Sequence, residues 1–386
     1  MTDVLVIGAG PAGLSSGYYL QRSGIAYEIV DRADHVGSTW ANLYPSLRLN
    51  TASFVSHMPG ERIPLRYGLL PTGKQYHAYL QNWFQQHPLN LRLSVEVKRV
   101  ASSYGDWCVE TDQGSARYRA VILATGRYSN PFIPTIPGMD TFAGDLLHTH
   151  DFISAAPFAD KRILVVGSGP SGADIAVALT EVSPGNILFS IRSDMVIARR
   201  NPYGLNDTIW KILLRPFAPS VRKWLSDRIN FQSYPGVTNL GLPLAPNRDD
   251  RKGSSVPVRG IEFVRAVRDG SIIPVRGLAE VQGHCALLDD GSTHEVDAII
   301  LATGYRPALD YLAADFETDA QGWPLLEIEQ HTPSTALRGH PGLFLVGRCY
   351  RGLGALYNIR QEAYLAAQEI GQYLKAPRKI RQLQEA

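Results

Sequence analysis

Two glycine triads carry the clearest chemistry in the sequence. In Gly8-Ala9-Gly10-Pro11-Ala12-Gly13, Gly8 permits a tight turn, Gly10 lets a phosphate approach the backbone, and Gly13 allows close helix–strand packing. Such a turn aims the unpaired N–H groups of a helix start at an anion, which suits a pyrophosphate. Asp31 ends the next apolar run, Tyr27-Glu28-Ile29-Val30, where a carboxylate accepts hydrogen bonds from ribose hydroxyls, and Arg32 follows it. Gly167, Gly169 and Gly172, with Pro170 and Ser171, repeat the spacing. After its second apolar run, however, this copy offers Ser190 and Arg192 instead of an acid. A carboxylate there would repel a 2′-phosphate, whereas a guanidinium makes charge-assisted bonds to it. NADPH is therefore favoured over NADH, with Arg199 and Arg200 adding to the positive field; a solvated basic surface is the alternative.

The elements that must position these residues also occur twice. Each triad follows a short apolar run (residues 4–7 and 163–166) and precedes a helical pattern, to about Gly24 and Val182, then a second apolar run. Alternating segments near 93–100, 106–111 and 115–120 read as a small meander before Val121-Ile122-Leu123-Ala124-Thr125-Gly126. Segments around 278–288 and the turn Asp290-Gly291 precede Ile299-Ile300-Leu301-Ala302-Thr303-Gly304 in the same way. Leu343-Phe344-Leu345-Val346-Gly347 supplies a late strand. A final amphipathic helix is predicted over about 355–375, with Leu356, Ile359, Ala363, Ala366, Ala367 and Ile370 on one face.

The expected class is α/β. It comprises two Rossmann-like dinucleotide-binding domains with parallel sheets and small β-meander insertions, the NADP domain inserted in the FAD domain. The boundaries read as 1–153 with 305–386 for FAD, and 154–304 for NADPH. Two such folds in one chain imply electron transfer, one holding a flavin and the other bringing a hydride donor. Cofactor-contacting positions are then Gly8, Gly10, Pro11, Ala12, Gly13, Asp31, Arg32, Trp40, Arg48, Thr125, Gly126 and Gly347, and Gly167, Gly169, Pro170, Ser171, Gly172, Ser190, Arg192, Thr303 and Gly304.

Bulk properties narrow the classes. The chain has 386 residues, 45% hydrophobic and 19% charged, ordinary values for two globular domains. A net charge of +2 gives no case for nucleic acid or a membrane as partner. Cys108, Cys285 and Cys349 form no CxxC, which argues against a disulfide scaffold, a zinc site or a dithiol centre and leaves buried inert thiols. No segment reaches the ~18 apolar residues of a membrane span. The N-terminal run reads as a strand, and the C-terminal residues Arg378–Ala386 are polar, so a cytoplasmic protein is expected. A homodimer is compatible with these features. Residues 200–260, with the charged cluster Asn247–Lys252, are least regular and are expected to face substrate.

Further residues resemble the flavin-containing monooxygenases (class B). These are Gly37-Ser38-Thr39-Trp40, then Tyr44-Pro45-Ser46-Leu47-Arg48-Leu49-Asn50-Thr51, and Leu301-Ala302-Thr303-Gly304-Tyr305. Residues Phe142, Gly144, His148 and Phe152 fit the family fingerprint FxGxxxHxxx(F/Y/W) at every fixed position. The resemblance spans nearly the whole chain. It implies that NADPH reduces FAD, that O₂ adds to give a C4a-(hydro)peroxyflavin, and that this oxidant oxygenates a small molecule. Asn50 matches the family asparagine beside the flavin, where a neutral amide bonds cofactor and oxygen species; it is the one catalytic candidate, against an ordinary turn asparagine. Asn50 favours oxygenation of an N- or S-nucleophile, because decarboxylating plant-like relatives carry another residue there. Phe152 tilts against the Baeyer–Villiger reaction, which usually accompanies tryptophan. His148 is read as tying the interdomain linker to the nicotinamide domain, Trp40 as packing near the flavin, and Pro170 as a departure from the usual asparagine. Baeyer–Villiger or decarboxylating oxygenation, or an NADPH-dependent flavin reductase that oxygenates nothing, remain as alternatives. No metal is expected.

Overall fold

Val4, Leu5, Val6 and Ile7 are apolar on both faces, the pattern of a strand covered by helices on each side. In the computed structural model, which describes residues 2–231, 240–244, 257–319, 321–329, 332–348 and 352–376, they form the buried strand Val4–Ile7. Helix Pro11–Arg22 and strand Tyr27–Val30 complete a βαβ unit. The chain divides into two compact units: residues 1–43, 51–130 and 305–386, and residues 44–50 with 131–304.

In the first unit, Val4–Ile7 lies in parallel between Tyr27–Val30 and Ala120–Leu123. Leu91–Arg92 and Leu343–Leu345 extend the parallel sheet on either side. Thr332–Leu337 and Leu326–Glu329 continue one edge in antiparallel fashion. The meander consists of Val97–Ser103, Asp106–Thr111 and Gly114–Tyr118. Helix Ala355–Lys375 buries Leu356, Ala363, Ala366, Ala367 and Ile370, while Ile359 on the same face is half-buried. Helix Gly73–Gln86 begins with a capping box between Thr72 and Gln75, which satisfies two orphan N–H groups. It buries Tyr76, Tyr79 and Trp83, and the Trp83 indole donates to the Pro59 carbonyl at 2.8 Å.

The second unit has a fully parallel sheet in the order Ile272–Arg276, Ile187–Ile191, Ile163–Val166, Ala298–Leu301, Asp145–His148. Alternation sends Ile163, Val165, Phe189 and Ile300 into a core with Ile175 and Leu179 of helix Pro170–Leu179. Leu164, Ile299 and Leu301 face the opposite way, against Leu278, Val281 and Leu288 of the second meander. Asp145–His148, read from sequence as linker, is the fifth strand of this sheet. Residues 131–153 and 44–50 accordingly lie in the second unit, and Tyr44, Leu47 and Phe152 join its core.

The irregular region has more order than its composition suggests. Strands Ile197–Ala198 and Val258–Arg259 pair in parallel, beside helices Asp207–Leu213, Pro219–Phe231 and Ile261–Arg268. Asp207 and Arg259, both buried, form an ion pair at 2.8 Å, and Lys211 joins Asp207 at 2.9 Å. Asn247–Lys252, Cys349 and Arg378–Ala386 lie outside the described residues. Cys108 and Cys285 are free thiols, half-buried where full burial was expected.

Candidate functional site

The two glycine turns differ in what each glycine must do. Gly8 has φ +114°, and a Cβ there would lie 2.5 Å from the Ala124 carbonyl oxygen. A Cβ on Gly13 would lie 1.7 Å from the Gly8 carbonyl oxygen. Both glycines are thus demanded by the fold itself. A Cβ on Gly10 would meet nothing within 4 Å. The second turn repeats this: Gly167 (φ +122°) abuts Ala302 and Gly172 abuts Gly167, each at 2.4 Å from a carbonyl oxygen, while Gly169 faces open space. Helices Pro11–Arg22 and Pro170–Leu179 start at Gly10 and Gly169 with no side-chain cap and no acid in the first turn. Pro11 and Ala12 are buried in one first turn; Pro170 and Ser171 are half-buried in the other. Each turn is an uncapped, electropositive helix start with room at its middle glycine, which fits a dinucleotide pyrophosphate.

Around the first turn, the Asp31 carboxylate accepts from the Ala9 N–H and, at 2.8 Å, from the Ala33 N–H; Arg32 is exposed. The Thr125 hydroxyl donates to the Ala308 carbonyl at 3.2 Å, and Gly126 (φ +75°) borders open space. Gly347 donates its N–H to Glu362 at 2.6 Å, and a Cβ there would sit 3.6 Å from the Ala12 Cβ. Trp40 is half-buried with its ring 4.4 Å from Tyr76. Thr51 packs under Gly354, the start of helix Ala355–Lys375, where a Cβ would lie 2.4 Å from the Thr51 Cγ2. Arg48 is exposed and Asn50 half-buried, both in the second unit.

Around the second turn, Ser190 donates to the Arg276 carbonyl at 3.0 Å, and Arg192 is exposed. Arg200 instead donates to the Arg259 carbonyl at 3.3 Å and lies in the field of Asp174. The Thr303 hydroxyl donates to the Phe132 carbonyl, and Gly304 (φ +84°) borders open space.

Each fingerprint position has a packing reason. Phe142 leans on the meander-side core, with its ring 6.1 Å from that of His284. Gly144 has no room for a side chain, because a Cβ would lie 2.3 Å from the Asp297 carbonyl oxygen. Phe152 is buried and stacks on Phe158 at 5.9 Å. His148 accepts from the His150 N–H through Nδ1 at 3.0 Å, so Nε2 carries the proton and donates to the Gly304 carbonyl at 3.1 Å. Burial holds its pKa below the ordinary value. A neutral imidazole with both nitrogens engaged is a tie between the 148–150 segment and the Thr303–Gly304 loop.

Residues 5–201 match the family described as pyridine nucleotide-disulphide oxidoreductase. A probable indole-3-pyruvate monooxygenase, YUCCA1 of Arabidopsis thaliana, is 30% identical over 383 residues, 95% of this chain and 89% of that protein. The chain belongs to the flavin-containing monooxygenase family. The oxidoreductase CzcO of Bacillus subtilis is also similar, 27% identical over 96% of this chain and all of its own length. Among solved structures, the flavin-containing monooxygenase from Stenotrophomonas maltophilia superposes with a TM-score of 0.74 at 25% identity, covering 97% of this chain and 100% of that one. As a member of this family, the chain is an oxidoreductase of the flavin monooxygenase type. Among the described residues, no His/Cys/Asp/Glu cluster could hold a metal, and no helix is long and apolar enough to cross a membrane.

One pair in this monooxygenase, buried on the Tyr44 side and half-buried on the Asp174 side, is not evident from the sequence. The Tyr44 hydroxyl donates to the Asp174 carboxyl at 3.1 Å, one turn into the helix that starts at Gly169. Burial pushes the Asp174 pKa up to about 6, with Arg200 and the Tyr44 bond opposing the shift and Glu262 adding to it. The only signal in the sequence is an acid in a helix otherwise made of small and apolar residues.

Proposed function

We propose that the first unit binds FAD, that the second binds NADPH, and that the enzyme inserts one oxygen atom of O₂ into a small molecule bearing a soft N- or S-nucleophile. The observation that carries this reading is the pair of open middle glycines, Gly10 and Gly169, each at an uncapped helix start and each flanked by glycines that packing alone requires. When bound, NADPH supplies two electrons and the flavin passes them to dioxygen, one atom entering the substrate and the other leaving as water.

The protein's part is to hold and shield. The turns at Gly8–Gly13 and Gly167–Gly172 take the pyrophosphates, with Asp31 accepting from ribose hydroxyls and Arg192 meeting a 2′-phosphate. Asn50, a neutral amide, donates and accepts hydrogen bonds near the reacting oxygen without adding charge. His148 positions the Thr303–Gly304 loop and moves no proton. Phe152 favours heteroatom oxygenation over ketone oxidation. A second reading, oxygenation of a 2-oxo acid, is supported by similarity to plant enzymes named for indole-3-pyruvate.

The test combines binding and isotope labelling. Gly10→Val protein is expected to fold and emerge colourless, because the side chain fills the space of the pyrophosphate, whereas wild type is yellow. With ¹⁸O₂ and NADPH, a panel of amines, sulfides, ketones and 2-oxo acids is then screened. One ¹⁸O atom in an amine or sulfide product supports the main reading. Label in a product of a 2-oxo acid supports the second, and NADPH oxidation with no labelled product leaves only the reductase.

A further inference from the structure

Strands Ile187–Ile191 and Ile272–Arg276 run side by side in parallel, with Ile191 opposite Arg276. Both end at the same edge of the sheet, Arg276 as the last residue of its strand and Arg192 one residue past its own. Gly277 permits a close approach here, since a Cβ on it would lie 2.1 Å from the Asp289 Oδ2 and 3.3 Å from the Arg192 Cβ. The Ser190 hydroxyl fixes the neighbouring backbone by its 3.0 Å bond to the Arg276 carbonyl. Both arginines are exposed, and the Asp290 carboxylate lies in the field of Arg276. The Asp289 backbone N–H donates to the Gly277 carbonyl at 2.8 Å. The Asp290 carboxylate is engaged by the Ser292 N–H and hydroxyl at 3.0 and 2.6 Å. Nearby, the Arg200 guanidinium donates to the Arg259 carbonyl at 3.3 Å, and the Arg259 guanidinium donates to the Arg199 carbonyl at 3.4 Å.

Two exposed guanidiniums at one strand end present forked donors, and a phosphate monoester offers them three acceptor oxygens. We propose that Arg276 is a specificity-determining residue that, with Arg192, takes the 2′-phosphate of NADPH. This rests on the reading that the second unit binds NADPH. Arg276 comes from a different strand than the Ser190–Arg192 position at which sequence alone looks for nucleotide choice, so it widens that position into a two-strand clamp.

The experiment uses the full-length, FAD-loaded protein and calorimetric titration with 2′,5′-ADP and with 5′-AMP, which differ by the phosphate in question. In Arg276→Gln, affinity for 2′,5′-ADP is expected to fall about tenfold, the scale of one charge-assisted bond, with 5′-AMP changed less than about twofold. Arg276→Lys is expected to keep most of the discrimination. If Arg192→Gln loses 2′,5′-ADP and Arg276→Gln does not, the proposal fails while the NADPH reading stands. If Arg276→Gln weakens both ligands equally, Arg276 holds the adenine or its ribose and the proposal also fails. If wild type binds 2′,5′-ADP no better than 5′-AMP, the NADPH reading itself fails, and the proposal with it.

Discussion

Asp174 shows how one residue can set a pH dependence that no surface charge would. The residue is half-buried, its folded pKa is raised to about 6 by desolvation, and Tyr44 is its hydrogen-bond donor. A raised carboxyl pKa means that the folded state holds the proton more tightly than the unfolded chain does. Stability is therefore highest with respect to this group below the unfolded value near 4, and is lost as pH rises through about 6. Asn keeps an acceptor for Tyr44 and cannot ionise. Asp174→Asn is expected to be more stable than wild type at pH 8, by up to ~3 kcal/mol for two pK units, with the advantage gone by pH 4. Paired denaturant melts at the two pH values read this directly. An advantage independent of pH would mean that Asp174 is not the titrating group.

Among the elements, strand Asp145–His148 lies at the centre of the fingerprint and ends in one of its four fixed residues, and its neighbours explain the residue types. Gly144 leads into it beneath the Asp297 carbonyl, and His148 closes it against Gly304. His148→Ala removes the partners of two half-buried backbone groups and is expected to destabilise the protein by ~1–2 kcal/mol, since each group left without a partner loses part of its hydrogen-bond energy. Its pH–rate profile should keep the wild-type shape, because the imidazole is neutral and bonded at both nitrogens; a lost or shifted limb would return His148 to proton transfer. The two βαβ units, the meanders and the last helix were legible from sequence because period-2 and period-3.6 patterns lay beside glycine turns. The Asp145–His148 strand was not, for Asp145-Leu146-Leu147-His148 is short and its buried polar end finds a partner in the distant residue 304. Arg276 was equally hidden: nothing local marks a strand-end arginine until pairing sets it beside residue 192.

At the scale of the whole molecule, the chain order and the compact units do not coincide. Tyr44–Asn50 is surrounded in sequence by the first unit, yet Tyr44 and Leu47 belong to the second unit's core. A fragment of residues 131–304 is expected to melt ~10 °C below the same fragment with residues 44–50 tethered by a flexible linker. Removing a buried aromatic costs ~3–5 kcal/mol, and each kcal/mol moves a domain of this size by ~2–4 °C. Equal melting temperatures would show that the short segment contributes no packing. The same feature bears on how such enzymes could be recombined. A chimaera that grafts the second unit of one relative onto the first unit of another, cutting only at 131 and 304, would set position 44 of one parent against position 174 of the other. Moving the short segment along with its graft would keep donor, carboxyl and apolar neighbours from a single parent.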